Sequence, residues 1–143
     1  MITDALLRVS EDQALTTTAV STNTIDLVVA RDIGEGTPLY MNFAVTTALA
    51  GGTSVKFEVI TSANANLSSP TVIGSSDAIL TAALTLGKNV VVRLNPEIAG
   101  KGQQYLGARY TIAGTYTSGK VTADIVETIG DGQKYYASGF TIV

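Results

Sequence analysis

From Leu39 to Thr61 the chain alternates apolar and polar residues in two runs separated by a stretch of small residues. In the first run Leu39, Met41, Phe43 and Val45 fall on one face and Tyr40, Asn42, Ala44 and Thr46 on the other. In the second, Val55, Phe57 and Val59 oppose Lys56 and Glu58. A period of two is that of a strand with one face buried and one wet. Between the runs, Gly51 and Gly52 supply the positive-φ positions that a chain reversal needs. The pattern predicts an antiparallel hairpin at the centre of a β-sandwich.

The rest of the chain repeats this theme in shorter pieces. Ile25–Val29, Thr71–Ile73, Asn89–Leu94, Tyr105–Ala113 and Val121–Val126 read as strands, Gln13–Val20 as an extended edge, and Phe140–Val143 as a closing strand. Ala78–Leu86 reads as strand or irregular structure, since its helical spacing of Ile79, Leu80, Ala83 and Leu84 stands alone among β signals. Residues 1–12 are helical or irregular, because Asp4, Arg8, Glu11 and Asp12 interrupt any alternation. That segment either lies as a single turn on the sandwich or reaches out as an arm. The expected architecture is all-β: one antiparallel sandwich of jelly-roll type over residues 1–143, with about eight short strands.

Composition narrows the function. Hydrophobic residues make up 45% and charged ones 15%, against about 25% charged in an ordinary soluble domain. A surface with so few charges is expected to meet something other than water in part. A net charge of −3 argues against a nucleic-acid footprint, which is normally basic. There is no Cys, hence no disulfide, thiol nucleophile or thiolate metal site, and no His, hence none of the commonest acid–base and metal chemistry. No apolar run approaches the ~20 residues of a membrane helix, and the first residues lack the basic start of a signal peptide, so synthesis and use in a cytoplasm are expected.

The remaining candidate chemistry is thin. Gly114-Thr115-Tyr116-Thr117-Ser118-Gly119-Lys120 matches the first seven positions of a phosphate-binding P-loop, but the eighth is Val121 where a Mg²⁺-binding hydroxyl is required. Val121 to Val126 then alternate like a strand and not like a helix, so a hairpin turn is expected at Gly114–Lys120. Gly34-Glu35-Gly36 and Gly130-Asp131-Gly132 read as turns, and a calcium site at Asp131 lacks the alternating acids of an EF-hand. Asp26, Glu58, Asp124 and Glu127 read as solvated carboxylates on outer faces, not as a glycosidase pair. No catalytic residue, cofactor or metal is expected.

Surface apolar residues are the better lead. Tyr105 and Tyr110 have opposite parity on one strand, so only one of them faces the core. A tyrosine on an outer face makes a good contact, pairing apolar area with a hydroxyl. Leu6, Leu7, Tyr105, Tyr135 and Tyr136 are therefore the interface candidates.

Five pieces in order carry a resemblance: Ser21-Thr22-Asn23-Thr24-Ile25-Asp26-Leu27, Arg31-Asp32-Ile33-Gly34-Glu35-Gly36-Thr37-Pro38-Leu39, Leu67-Ser68-Ser69-Pro70, Tyr105-Leu106 with Arg109-Tyr110, and Ser118-Gly119-Lys120-Val121-Thr122-Ala123. From about residue 10 to residue 127 the chain resembles the capsid cement (decoration) proteins of tailed bacteriophages, such as that of a short-tailed Bordetella phage. The resemblance implies a jelly-roll sandwich on the outside of an assembled capsid, bound to the major capsid protein and tying its neighbouring copies together. It also implies a symmetric oligomer, a dimer before a trimer, with no catalysis, no nucleic acid and no membrane. Its place would be the virion, after synthesis in the host cytoplasm. The alternative from a different class is a carbohydrate- or receptor-binding sandwich of a phage tail, which exposed aromatic platforms would favour and the absence of Trp disfavours.

Overall fold

Alternation decides which face of a strand is buried, and the computed structural model shows which strands share a sheet. It describes residues 3–31, 36–94 and 103–128. A 3-10 turn (Ala5–Leu7) leads into β1 (Arg8–Ala14), β2 (Ala19–Val20), β3 (Ile25–Asp26), β4 (Tyr40–Ala50), β5 (Ser54–Ser62), β6 (Thr71–Ser75) and β7 (Ile79–Leu80). A second 3-10 turn (Thr81–Ala83) precedes β8 (Asn89–Arg93), β9 (Tyr105–Ala113) and β10 (Ser118–Val126).

One sheet has the order β1-β10-β4-β8 and the other β2-β9-β5-β6, with β3 beside β9 and β7 beside β5. Every pairing is antiparallel. With β2 and β3 taken as one interrupted strand and β7 as a short addition to β5, this is the two-sheet jelly roll of eight strands.

The central hairpin is corrected. β4 and β5 are consecutive and both central, yet they belong to opposite sheets, so Gly51 and Gly52 carry the chain over the end of the sandwich. Gly51 has φ +98°, and a Cβ on Gly52 would overlap the Tyr116 ring. β9 and β10 are likewise consecutive but in opposite sheets, which corrects the hairpin expected at Gly114–Lys120. Among the described strands longer than two residues, β5 and β6 are the consecutive pair that do hydrogen-bond side by side.

The apolar faces assigned to β4 and β5 meet across the sandwich. Met41, Phe43, Val45, Val55, Phe57 and Val59 are all buried, and the Phe43 and Phe57 ring centroids are 5.1 Å apart. Tyr110 stands edge-on to both, at 5.9 and 6.0 Å. Its hydroxyl donates to Ser10 Oγ (2.8 Å), which donates to Gln13 Oε1 (2.7 Å), and Gln13 Nε2 reaches the Val20 carbonyl (2.8 Å). A buried hydroxyl needs such a partner, and this chain of bonds ties β9 to β1 across the core.

Residues 8–12, expected to be helical or irregular, are the first part of an edge strand. Bulges between Arg8 and Ser10 and between Ser10 and Gln13 reset its alternation, and Asp12 takes φ +44°. A bulge inserts an unpaired residue and so erases the period of two. The free side of β1 is covered in turn, since the Asn23 N–H donates to the Val9 carbonyl (2.9 Å). On the opposite side of the sandwich β6 lies against β8.

Candidate interaction surface

The outer sheet faces are less wet than alternation implies, and two of the four strand carboxylates are corrected accordingly. Glu58, 3% exposed on the outer face of β5, accepts from Arg109 Nε (2.6 Å) and Thr111 Oγ1 (2.8 Å), with Lys56 Nζ at 3.5 Å. Burial by itself would raise its pKa. The bonds from Arg109 and Thr111 and the charges of Arg109 and Lys56 outweigh that and hold it below the usual glutamate value. Asp124, 4% exposed on the outer face of β10, accepts from Arg8 Nε at 2.8 Å. The two carboxylates lie in different sheets and point away from each other, each occupied by an arginine. They are structural ion pairs and not an acid–base couple. Asp26 and Glu127 are exposed, as expected.

The P-loop lookalike spends its backbone inside the fold. The Tyr116 N–H donates to the Thr16 carbonyl (3.0 Å) and the Thr117 N–H to that of Ala50 (2.9 Å), so neither is aimed at a ligand. The Tyr116 side chain is buried, its hydroxyl 2.7 Å from Thr81 Oγ1, and Lys120 stands exposed within β10. Among the described residues no three His, Cys, Asp or Glu side chains come together as a metal would require.

The interface candidates separate clearly. Leu6 is 85% exposed and Leu7 37%, on the 3-10 turn that Asp4 caps by accepting the Leu6 N–H (2.9 Å). Tyr110 takes the core side of β9, leaving Tyr105 half-buried on the outer face, where its hydroxyl accepts from Gln104 Nε2 at 3.3 Å. Tyr135 and Tyr136 lie outside the described residues, as do Gly130-Asp131-Gly132 and the closing strand expected at Phe140–Val143.

The pair Val28 and Val29 was missed by sequence reasoning. β3 ends at Asp26, and these two valines, read from their β-branched character as strand, are 73% and 52% exposed. The Asp26 carboxylate accepts the Val28 N–H (2.7 Å) and is held by Gln104 Nε2 (3.0 Å), which turns the chain out of the sheet with Val28 at φ +70°. The available signal was the aspartate two residues ahead, whose side chain competes with the ladder for backbone donors.

Register places both apolar pairs at one corner. Arg8 pairs with Asp124 near the end of β10, and Asp26 pairs with Tyr105 at the matching end of β9. β1 and β3 both flank the side of the sandwich joined by the Asn23–Val9 bond. Leu6 and Leu7 thus project from one sheet and Val28 and Val29 from the other, at the same end and on the same side.

Outer-face packing also explains part of the sequence resemblance. Leu67, with φ +55°, folds onto Gly107 so closely that a Cβ there would overlap it, while Ser21 Oγ accepts the neighbouring Ala108 N–H (3.0 Å). The pieces around Ser21, Leu67 and Tyr105 therefore meet on one patch of the second sheet. The model of the Bbp16 family matches residues 9–125. The chain belongs to the Bbp16 family. The family's name points to a Bordetella phage protein, and its match runs from β1 to the penultimate residue of β10, which is the jelly roll without the Leu6–Leu7 turn. No curated protein matches the chain.

Proposed function

We propose that this chain is a non-enzymatic structural protein of a phage head. In this reading it binds the outside of the assembled capsid as a symmetric oligomer, a dimer before a trimer, and ties neighbouring copies of the major capsid protein together. Membership of the Bbp16 family across the whole jelly roll carries the reading. The molecule is suited to it: the free side of β1 is met by Asn23 and β6 lies against β8, which limits stray strand pairing, its strand carboxylates Glu58 and Asp124 are committed to arginines, and four of the seven large apolar side chains exposed among the described residues lie at one corner. Its place is accordingly the outer surface of the virion. The test is co-sedimentation of the purified protein with phage heads from which it has been stripped. Saturable binding is expected, and a protein left wholly in the supernatant would refute the reading.

A further inference from the structure

Four of the seven large apolar side chains exposed among the described residues sit at one corner of the sandwich: Leu6, Leu7, Val28 and Val29. Each pair is displayed in the same way. An aspartate two residues ahead binds the backbone N–H of the first apolar residue, Asp4 that of Leu6 and Asp26 that of Val28. Val28 takes a left-handed conformation, φ +70°, which a β-branched residue adopts at a cost. Both turns leave their apolar side chains exposed.

Charge at this corner selects the partner. Asp4, Asp26 and Glu11 are exposed beside the apolar pairs, and Glu127 stands exposed just past the end of β10. Of the cations among the described residues on this side, Arg8 is bound to Asp124 and Glu11, and Arg31 stands exposed after the Val28–Val29 loop. The result is an apolar centre with a mainly acidic rim. A second copy of the chain would bring two such rims together, and like charges facing each other oppose association.

We infer that the Leu6–Leu7 and Val28–Val29 corner is the docking surface for a different protein, one that offers an apolar patch flanked by lysine or arginine. This rests on the proposed function and specifies it: the corner, and not a sheet face, meets the capsid, and contacts between copies of this chain lie elsewhere. The chemistry is that of an apolar anchor excluded from water and a polar rim that fixes register.

The experiment measures binding of the full chain to stripped heads by sedimentation over a range of concentrations. The decisive variant combines Leu6→Ser with Val28→Asn; both side chains are mostly exposed, and asparagine accepts a left-handed φ better than valine, so thermal stability should be unchanged. Leu80→Ser, at another exposed leucine at the opposite end of the sandwich, is the control. The expected result is an affinity about tenfold weaker or more for the double variant and unchanged for Leu80→Ser. Glu127→Lys should weaken binding by about two- to fivefold. A double variant that binds like the wild type overturns the inference while leaving the proposed function standing. Failure of the wild type to bind overturns both. A double variant whose free form sediments as a smaller species than the wild type makes the corner a contact between copies, which also overturns it.

Discussion

Phe43 and Asn42 are neighbours on β4 that point to opposite faces. Phe43 is fully buried between Phe57 and Tyr110, and its truncation to Ala is expected to cost about 3–5 kcal/mol, as large core truncations do. From alternation alone Asn42 belongs to a wet face, where Ala would cost almost nothing. At 3% exposure, opposite the buried Asp124, it is part of a covered outer face, and Asn42→Ala should cost on the order of 1 kcal/mol or more. Chemical denaturation of both variants checks this, and an Asn42→Ala protein as stable as the wild type would show that the covered face contributes nothing. Glu58 makes the second residue-scale claim. Its folded pKa is depressed, so its contribution is present above the ordinary glutamate range near ~4.3 and is lost as pH falls through the folded value. Glu58→Gln should therefore be destabilised at neutral pH, by about 1–3 kcal/mol, and should lose less stability than the wild type between about pH 5 and pH 2. Parallel stability curves for the two proteins would contradict the ion-pair account.

At the scale of elements, most strand positions were legible and strand partners were not. Tyr105–Ala113 carries its alternation on the surface of the sequence and is β9 without adjustment. β4 runs on to Ala50 through residues that read as a turn, because Thr47 and Ala48 are exposed while Leu49 returns to the core. Parity reports which face is buried and says nothing about the neighbour across the ladder. A glycine turn between two amphipathic strands serves a hairpin and an inter-sheet arch equally well, so neither arch is distinguishable from a hairpin in the sequence. The bulges of β1 were illegible because each breaks the local period that marks a strand, and the outward turn carried only the signal of Asp26 within a β-branched run. The corner residues divide in the same way, with Leu6 and Leu7 visible as apolar residues without a strand pattern and Val28 and Val29 hidden inside one. The arch itself can be tested at Gly52. A Cβ there meets the Tyr116 ring, whose hydroxyl contacts Thr81 Oγ1, which in turn donates to the Gly52 carbonyl. Gly52→Ala should destabilise by about 1–3 kcal/mol, as forced overpacking does, and near-ultraviolet circular dichroism should report the displaced tyrosine. An unchanged melting temperature would mean that the arch has room to spare around the ring.

The whole molecule combines a scarcely charged sandwich with an apolar corner, and that combination bears on how it would hold a shell together. A single small contact is weak, since ordering and desolvation consume much of what burial supplies. A symmetric oligomer bound to an assembled shell makes its second contact at high effective concentration, which can raise the overall affinity ~10²–10⁴-fold without any new contact. Free capsid subunits offer no such fixed spacing. The most direct measurement is therefore the affinity of the purified protein for stripped heads beside its affinity for unassembled capsid subunits, under the same buffer. Binding to heads at least about a hundredfold tighter than to subunits is the predicted result; equal affinity for the two, or no binding to heads, would contradict it.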